Sequence, residues 1–384
     1  MELKRTLRLA LLRGVPLLFS PGRRRPYGSR PRILLLRPDH LGDMILAMPA
    51  VRALREAFPN AHLACLVGPW AEAVVRHNPH IDEVITCSFP GFTRRPKGAP
   101  WAPYVLLIRE ARRLSAKNYD LAINLRFDFW WGALLVYLAG IPVRWGYDLP
   151  ETRPFLTERL PYLPGRHEVI QNLALVRAVA REPEVAAAPD SHPLEFWTKP
   201  KEEAFAAAWL RDHRAGRPLV ALHVGAGAPV KLWGTDAFAY VGDSLARQGA
   251  HIVLVGGGGE RERVDAVAER MRMKALAFVG HELGELAALL RHCDLAIGVD
   301  SGVLHLAVAM GTPTVHLYGP VDPAIFGPWG PSERHVVVTA GMECAPCNRL
   351  DFPPRELDRH TCITSIHPER VLEAAERVLM KGVS

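Results

Sequence analysis

Three loops of this 384-residue chain hold the side chains whose types and spacing could do chemistry. The first, RPDHLGDMILAMP at 37–49, follows an apolar run and places Asp43 directly after Gly42. Asp43 could start a helix after a tight glycine turn and cap it, where the helix dipole favours a carboxylate. Asp39 reads as a plain loop acid. The second loop, HVGAGAPVKLW at 223–233, sets Gly225, Ala226 and Gly227 after a strand, with amides free to approach an anion, and adds the compact charge of Lys231. In the third, from residue 298, Asp300 ends a strand, Ser301 and Gly302 open a helix, and His305 sits in its first turn. That is a phosphate seat or, alternatively, a capped helix with a satisfied core histidine. One carboxylate from the first half, with two anion-friendly loops and a lysine from the second, suits transfer of a group from a phosphate-bearing donor to an acceptor. The turn GGGGE at 256–260 lacks the G-x-G-x-x-G spacing, which counts against a dinucleotide-dependent dehydrogenase.

These loops need strands that end where they begin. A 49% apolar, 23% charged composition is that of an ordinary globular protein and excludes disordered, collagen-like and coiled-coil chains. Apolar runs of strand length at 32–37, 62–68, 82–87 and 120–126 alternate with helical patterns, among them 130–139. The alternation resumes at 218–225, 251–259, 275–280, 294–300 and 313–319, with helices expected near 235–248, 260–272, 283–292 and 303–310. This predicts an α/β protein of two doubly wound parallel sheets, with ligand crevices at strand C-termini facing a cleft. The proline-rich stretch 181–203 is the expected linker, which divides the chain into a leader (1–31), a first domain (32–190) and a second (191–384). A last helix from about Pro368 to Met380 could pack on either half.

The net charge of +7 resides in the leader, where nine lysines and arginines up to Arg32 oppose Glu2. The remainder carries one more acid than base, so nucleic acid is not an expected partner. Leu3, Leu7, Leu11 and Leu12 interleave with Lys4, Arg5, Arg8 and Arg13, the pattern of a helix lying on an anionic membrane or of a basic disordered extension. Arg13 interrupts the apolar run and no small-residue cleavage site follows, so a secretory signal fits poorly. Cys65, Cys87 and Cys293 fall in apolar contexts. Cys344, Cys347, His360 and Cys362 are clustered, with the ligand types of a structural zinc or iron site, although a reduced cluster without metal is the favoured reading.

The chain resembles glycosyltransferase family 9, the ADP-heptose:lipopolysaccharide heptosyltransferases, from about Arg32 onward. The resemblance is carried by I-L-L-L-R…L-G-D…P…R-A-L (33–54), A-G…K-L-W (226–233) and G-V-D-S-G-x-x-H-L-A…G-T-P…L-Y-G-P…P-x-x-F-G-P-W (298–329). It implies the two-domain GT-B fold and heptose transfer with inversion, without a metal for the chemistry. Asp43 then matches the proposed general base and Lys231 the lysine at the leaving diphosphate. Asp300, Ser301, Gly302 and His305 match the donor-phosphate loop, alongside Gly225, Ala226 and Gly227. Glu260 or Glu262 resembles an acid that holds the donor ribose. Arg37, His40, Arg126 and Asp128 lie on the acceptor side, where Asn124 replaces an acid usual in the family.

The expected function is therefore an inverting glycosyltransferase moving heptose from ADP-heptose to a lipopolysaccharide core or other surface glycan. It would need no catalytic cofactor and would sit peripherally on the inner face of the inner membrane. A protein O-heptosyltransferase, a nucleotide-sugar epimerase of the same fold and a non-catalytic carbohydrate-binding scaffold are the alternatives.

Overall fold

The computed structural model describes residues 28–93, 99–183 and 186–381, together with Leu12 and Gly14. The chain divides between Ala187 and Ala188 into two compact units. In the first, strands β1 (Arg32–Arg37), β2 (His62–Val67), β3 (Glu83–Thr86), β4 (Leu121–Asn124), β5 (Val143–Tyr147) and β6 (Glu158–Leu160) form one parallel sheet in the order β3-β2-β1-β4-β5-β6. Helices α1 (Leu41–Ala57), α2 (Glu72–Val75), α3 (Ala102–Ser115), α4 (Trp130–Leu138) and α5 (Glu168–Ala180) accompany it. The centre of the sheet is β1, RILLLR, buried from Ile33 onward as a strand covered on both faces must be.

The second unit opens with helix α6 (Pro200–Asp212). Its strands β7 (Leu219–His223), β8 (His251–Gly256), β9 (Ala275–Val279), β10 (Leu295–Val299), β11 (Thr314–Tyr318) and β12 (His335–Thr339) are also all parallel, ordered β12-β11-β10-β7-β8-β9. Helices α7 (Thr235–Arg247), α8 (Arg261–Arg270), α9 (Leu283–Arg291), α10 (Gly302–Ala309), α11 (Pro323–Phe326) and α12 (Pro368–Lys381) complete it. Each sheet reverses its strand order once, between β1 and β4 and between β7 and β10. Open parallel sheets bind ligands just beyond the strand C-termini at such a switch point.

Several local expectations change. Helix α1 starts at Leu41, so Gly42 and Asp43 lie inside its first turn, and the N-cap is His40. Three elements of the first unit, β5, β6 and α5, escaped the periodicity reading, because VRWGY and ERL are short and mixed in polarity. Helix α6 begins inside the stretch expected to be linker: Pro200 follows the N-cap Lys199, whose amide donates to Glu202 at 2.7 Å. The closing helix α12 belongs to the second unit, where Val371, Ala374, Ala375 and Val378 enter the core beneath β11 and β12. Leu12, expected on a lipid-facing stripe, is instead buried in the first unit's core beside Leu34, Leu36 and Leu107. Burial there removes its apolar surface from water as effectively as lipid would. The rest of the leader stripe lies outside the described residues. Among the described residues no helix is long and apolar enough to cross a membrane.

Candidate active site

At the first switch point the chain leaves β1 through Arg37 and Asp39. Arg37 is 2% exposed and donates to Glu168 at 2.7 Å and to Asn172 at 2.9 Å, both on α5. Its Nε lies 2.7 Å from Asp39 Oδ2, an ion pair without hydrogen-bond geometry. Arg126, just past β4, bonds the other oxygen of Asp39 and reaches Asp128 at 2.7 Å. Its guanidinium sits over the rings of Phe92 and Phe127 at 5.2 and 5.7 Å, which holds it by cation–π attraction. The His40 ring lies 5.3 Å from Trp70, whose indole donates to the Asp39 carbonyl at 2.9 Å.

Asp43 is half-buried, and its charge is felt by Arg37, Asp39 and Arg126. Among the described residues its carboxylate accepts no hydrogen bond and makes no ion pair within 4 Å. The acceptor-side candidates thus cluster around the candidate base. Within that cluster Arg37 is too buried to meet an acceptor and serves to position Asp39. Asp39, read as a plain loop acid, is the hinge of the network. No sequence signal marked it, because its importance comes from two arginines 2 and 87 positions away. Asn124 donates to the Phe129 carbonyl at 3.0 Å, while its own oxygen is buried without a hydrogen-bond partner among the described residues.

The second switch point gathers the donor-side candidates. Lys231 donates to Asp300 Oδ2 at 2.8 Å, the two side chains being 12% and 11% exposed. His305 Nε2 stands 3.8 Å from the other oxygen. Burial alone would push the Asp300 carboxyl up, but Lys231 and then His305 outweigh it and hold Asp300 well below the usual carboxylate range. Ser301 is the N-cap of α10, yet its hydroxyl pairs with His223 Nδ1 at 3.1 Å and does not cap. The first intrahelical bonds come from the amides of Leu304 and His305 to the Ser301 carbonyl, so Gly302 and Val303 present their N–H groups outward. Ser301 therefore does not cap α10 through its hydroxyl, and His305 Nδ1 is buried without a hydrogen-bond partner among the described residues.

His223 also links this cluster to Glu260, at 3.6 Å. Glu260 accepts from the Gly257 amide at 2.7 Å and lies directly over Gly225, where an added Cβ would fall 1.7 Å from Oε1. Gly225 is thus required by close approach. The structure separates the two glutamates left open by the sequence: Glu260 joins the cluster, and Glu262 is exposed on α8. Ala226 and Gly227 continue the loop toward solvent, half-buried and exposed. Arg263 fastens both ends of this loop, donating to the carbonyls of Val224, at 2.6 Å, and Trp233. His223 and Arg263 went unread because a histidine ending an apolar strand resembles core and an arginine on a polar helix resembles surface.

The cysteine cluster is less convergent. Cys344 and Cys347 are exposed and Cys362 is buried, its thiol pushed up by burial and by the two others. The His360 ring packs 3.5 Å from that of Phe352. Among the described residues no three histidine, cysteine or acidic side chains stand together in an arrangement that could hold a metal.

The model of glycosyltransferase family 9 (heptosyltransferase) matches residues 107–351. Lipopolysaccharide heptosyltransferase 3 of Escherichia coli K12 is 29% identical over 350 residues, covering 88% of this chain and 95% of that protein. The crystal structure of the glycosyl transferase family 9 from Veillonella parvula superposes with a TM-score of 0.77 at 26% identity, over 93% of this chain and 99% of that one. Escherichia coli ADP-heptose lps heptosyltransferase II, at 20% identity over 92% and 100% of the two chains, shares the GT-B-like fold with a TM-score of 0.71. This chain belongs to glycosyltransferase family 9, the heptosyltransferases.

Proposed function

We propose that the chain is an inverting transferase that moves heptose from ADP-heptose to a lipopolysaccharide core acceptor; its Escherichia coli relatives are named lipopolysaccharide heptosyltransferase 3 and ADP-heptose lps heptosyltransferase II. The observation that carries this reading is the state of Asp43, a half-buried carboxylate with no bonded partner among the described residues, at the switch point of the first sheet. Such a group can accept the acceptor hydroxyl proton as the new bond to the anomeric carbon forms. The bond to the diphosphate breaks on the opposite face, which inverts the centre. The second unit supplies the donor seat: the outward amides of Gly302 and Val303 for phosphate, Lys231 for the charge that grows on the leaving oxygen, and Glu260 for the ribose. Asp300 fixes the lysine, and His223 fixes Ser301 and Glu260. In this reading one base and one cationic seat suffice, so no metal or other cofactor enters the chemistry. The reading extends to a peripheral position on the inner face of the inner membrane, which the basic leader supports.

The test is ADP release from ADP-heptose by the full-length protein, with and without a deacylated lipopolysaccharide core, with mass spectrometry of the acceptor. Release that depends on acceptor, with one heptose added, is expected. Release without acceptor, or an unmodified acceptor, overturns the reading.

A further inference from the structure

Helix α3 has two apolar faces. Leu107, Ala111 and Leu114 turn into the core of the first unit. Trp101 at the N-cap, Tyr104, Val105 and Ile108 point the other way and are 67%, 57%, 61% and 51% exposed. At 3.6 residues per turn these four lie within roughly 100° of arc, one above another. Single exposed apolar residues are ordinary, whereas a contiguous stripe marks a surface that something covers. The following turns carry Arg109, Arg112 and Arg113, all exposed. Arg109 and Arg113 share the buried Glu110 at 3.1 and 3.2 Å, and Arg112 has no side-chain partner among the described residues.

We infer that the outer face of α3 is a membrane-docking surface that takes the anionic headgroups and upper acyl region of a phospholipid bilayer. The inference rests on the peripheral-membrane reading above and names the surface responsible. Trp and Tyr settle at the headgroup level, Val and Ile reach below it, and guanidinium groups pair with lipid phosphates. A second copy of the chain is a poorer occupant, because a two-fold contact would set the three arginines against themselves. The stripe also leads to the candidate site. Tyr104 lines a cavity of about 460 Å³ together with Phe92, Trp130, Arg126 and Asp128. A lipid-linked acceptor whose anchor stays in the bilayer would thereby meet the Arg126–Asp128 pair.

The experiment is sedimentation of the full-length protein with phosphatidylglycerol-containing vesicles and with pure phosphatidylcholine vesicles. Trp101→Ser/Val105→Ser/Ile108→Ser should lower partitioning onto the anionic vesicles by about tenfold or more. Its ADP release with a soluble deacylated acceptor should be unchanged. Arg112→Gln should weaken binding at low salt and reduce its salt dependence. A leader variant, Lys4→Gln/Arg5→Gln/Arg8→Gln, separates the two readings. If it abolishes vesicle binding while the α3 variant has no effect, the inference is overturned and the peripheral reading stands. If the unmodified protein ignores anionic vesicles, both fall. If the α3 variant alters only the mass seen by sedimentation velocity, the face is a self-association surface and the inference is overturned.

Discussion

Replacing Lys231 by methionine should destabilise the second unit before any substrate is added. The lysine ammonium and the Asp300 carboxylate are 2.8 Å apart and nearly out of solvent. At an effective dielectric of about 20, their gross attraction is about 6 kcal/mol. Much of that offsets the desolvation of both groups, and breaking one side of such a pair typically costs about 3–5 kcal/mol. Asp300 keeps His305 at 3.8 Å and can take a proton, so the lower end, about 3 kcal/mol, is expected. The loss has a pH signature. The folded carboxyl of Asp300 is held well below its unfolded value, so its stabilisation is complete above about pH 4 and is lost progressively as pH falls below that toward the folded value. The deficit of Lys231→Met should therefore be largest near neutrality and narrow as pH falls below about 4. The double variant Lys231→Met/Asp300→Asn should recover part of it, because no buried charge is left unpaired. Urea unfolding of the three proteins across pH measures this. A deficit under about 0.5 kcal/mol, or one independent of pH, would refute the argument by showing a solvent-screened pair.

Asp43→Asn should lower transfer by about 10²–10⁴-fold while ADP affinity stays within a few-fold, since the amide cannot accept the proton; steady-state rates and calorimetry decide between base and mere helix residue. In the same assays Lys231→Ala should lose more turnover than ADP affinity, and Lys231→Arg should retain part of the turnover. Gly225→Ala should weaken ADP binding as strongly as Glu260→Gln does, because the new Cβ occupies the place of the Glu260 carboxylate; unchanged calorimetric affinity would remove Glu260 from the donor site. Burial, then Arg334, lower His335 to about 4, so the fold keeps it neutral. Stability is thus undiminished above the unfolded value near 6.5 and falls as pH drops toward about 4, by about 2–3 kcal/mol. His335→Gln should flatten that slope in urea titrations at pH 7 and pH 5, and an unaltered slope would assign it to other groups.

The two parallel sheets could be read from the sequence because the strands of a sheet covered on both faces are continuous apolar runs, and RILLLR, PLVALHVG and DLAIGVD stand out from the helices between them. The loops that carry Asp43, Lys231 and Asp300 follow directly, since each is the first polar segment after such a run. What stayed hidden was short, polar or remote. Strands β5 and β6 are too brief and mixed to show a period, and α5 lay beyond the last strand that the first half displayed. Asp39 and His223 are partners by position in space alone. Arg126 reaches Asp39 because β4 pairs with β1 in parallel register, and Ser301 meets His223 because β10 pairs with β7. The choice of Glu260 over Glu262 turned on the 3₁₀ turn after β8, which aims one carboxylate back over Gly225 and leaves the other on the outside of α8. Likewise the stripe on α3 reads in sequence as any apolar helix, and only packing shows which of its two faces the core leaves uncovered. Local patterns determine elements because period and burial are properties of neighbouring residues. Networks of charge and hydrogen bonds join residues many positions apart, and only the paired strands bring them within bonding distance.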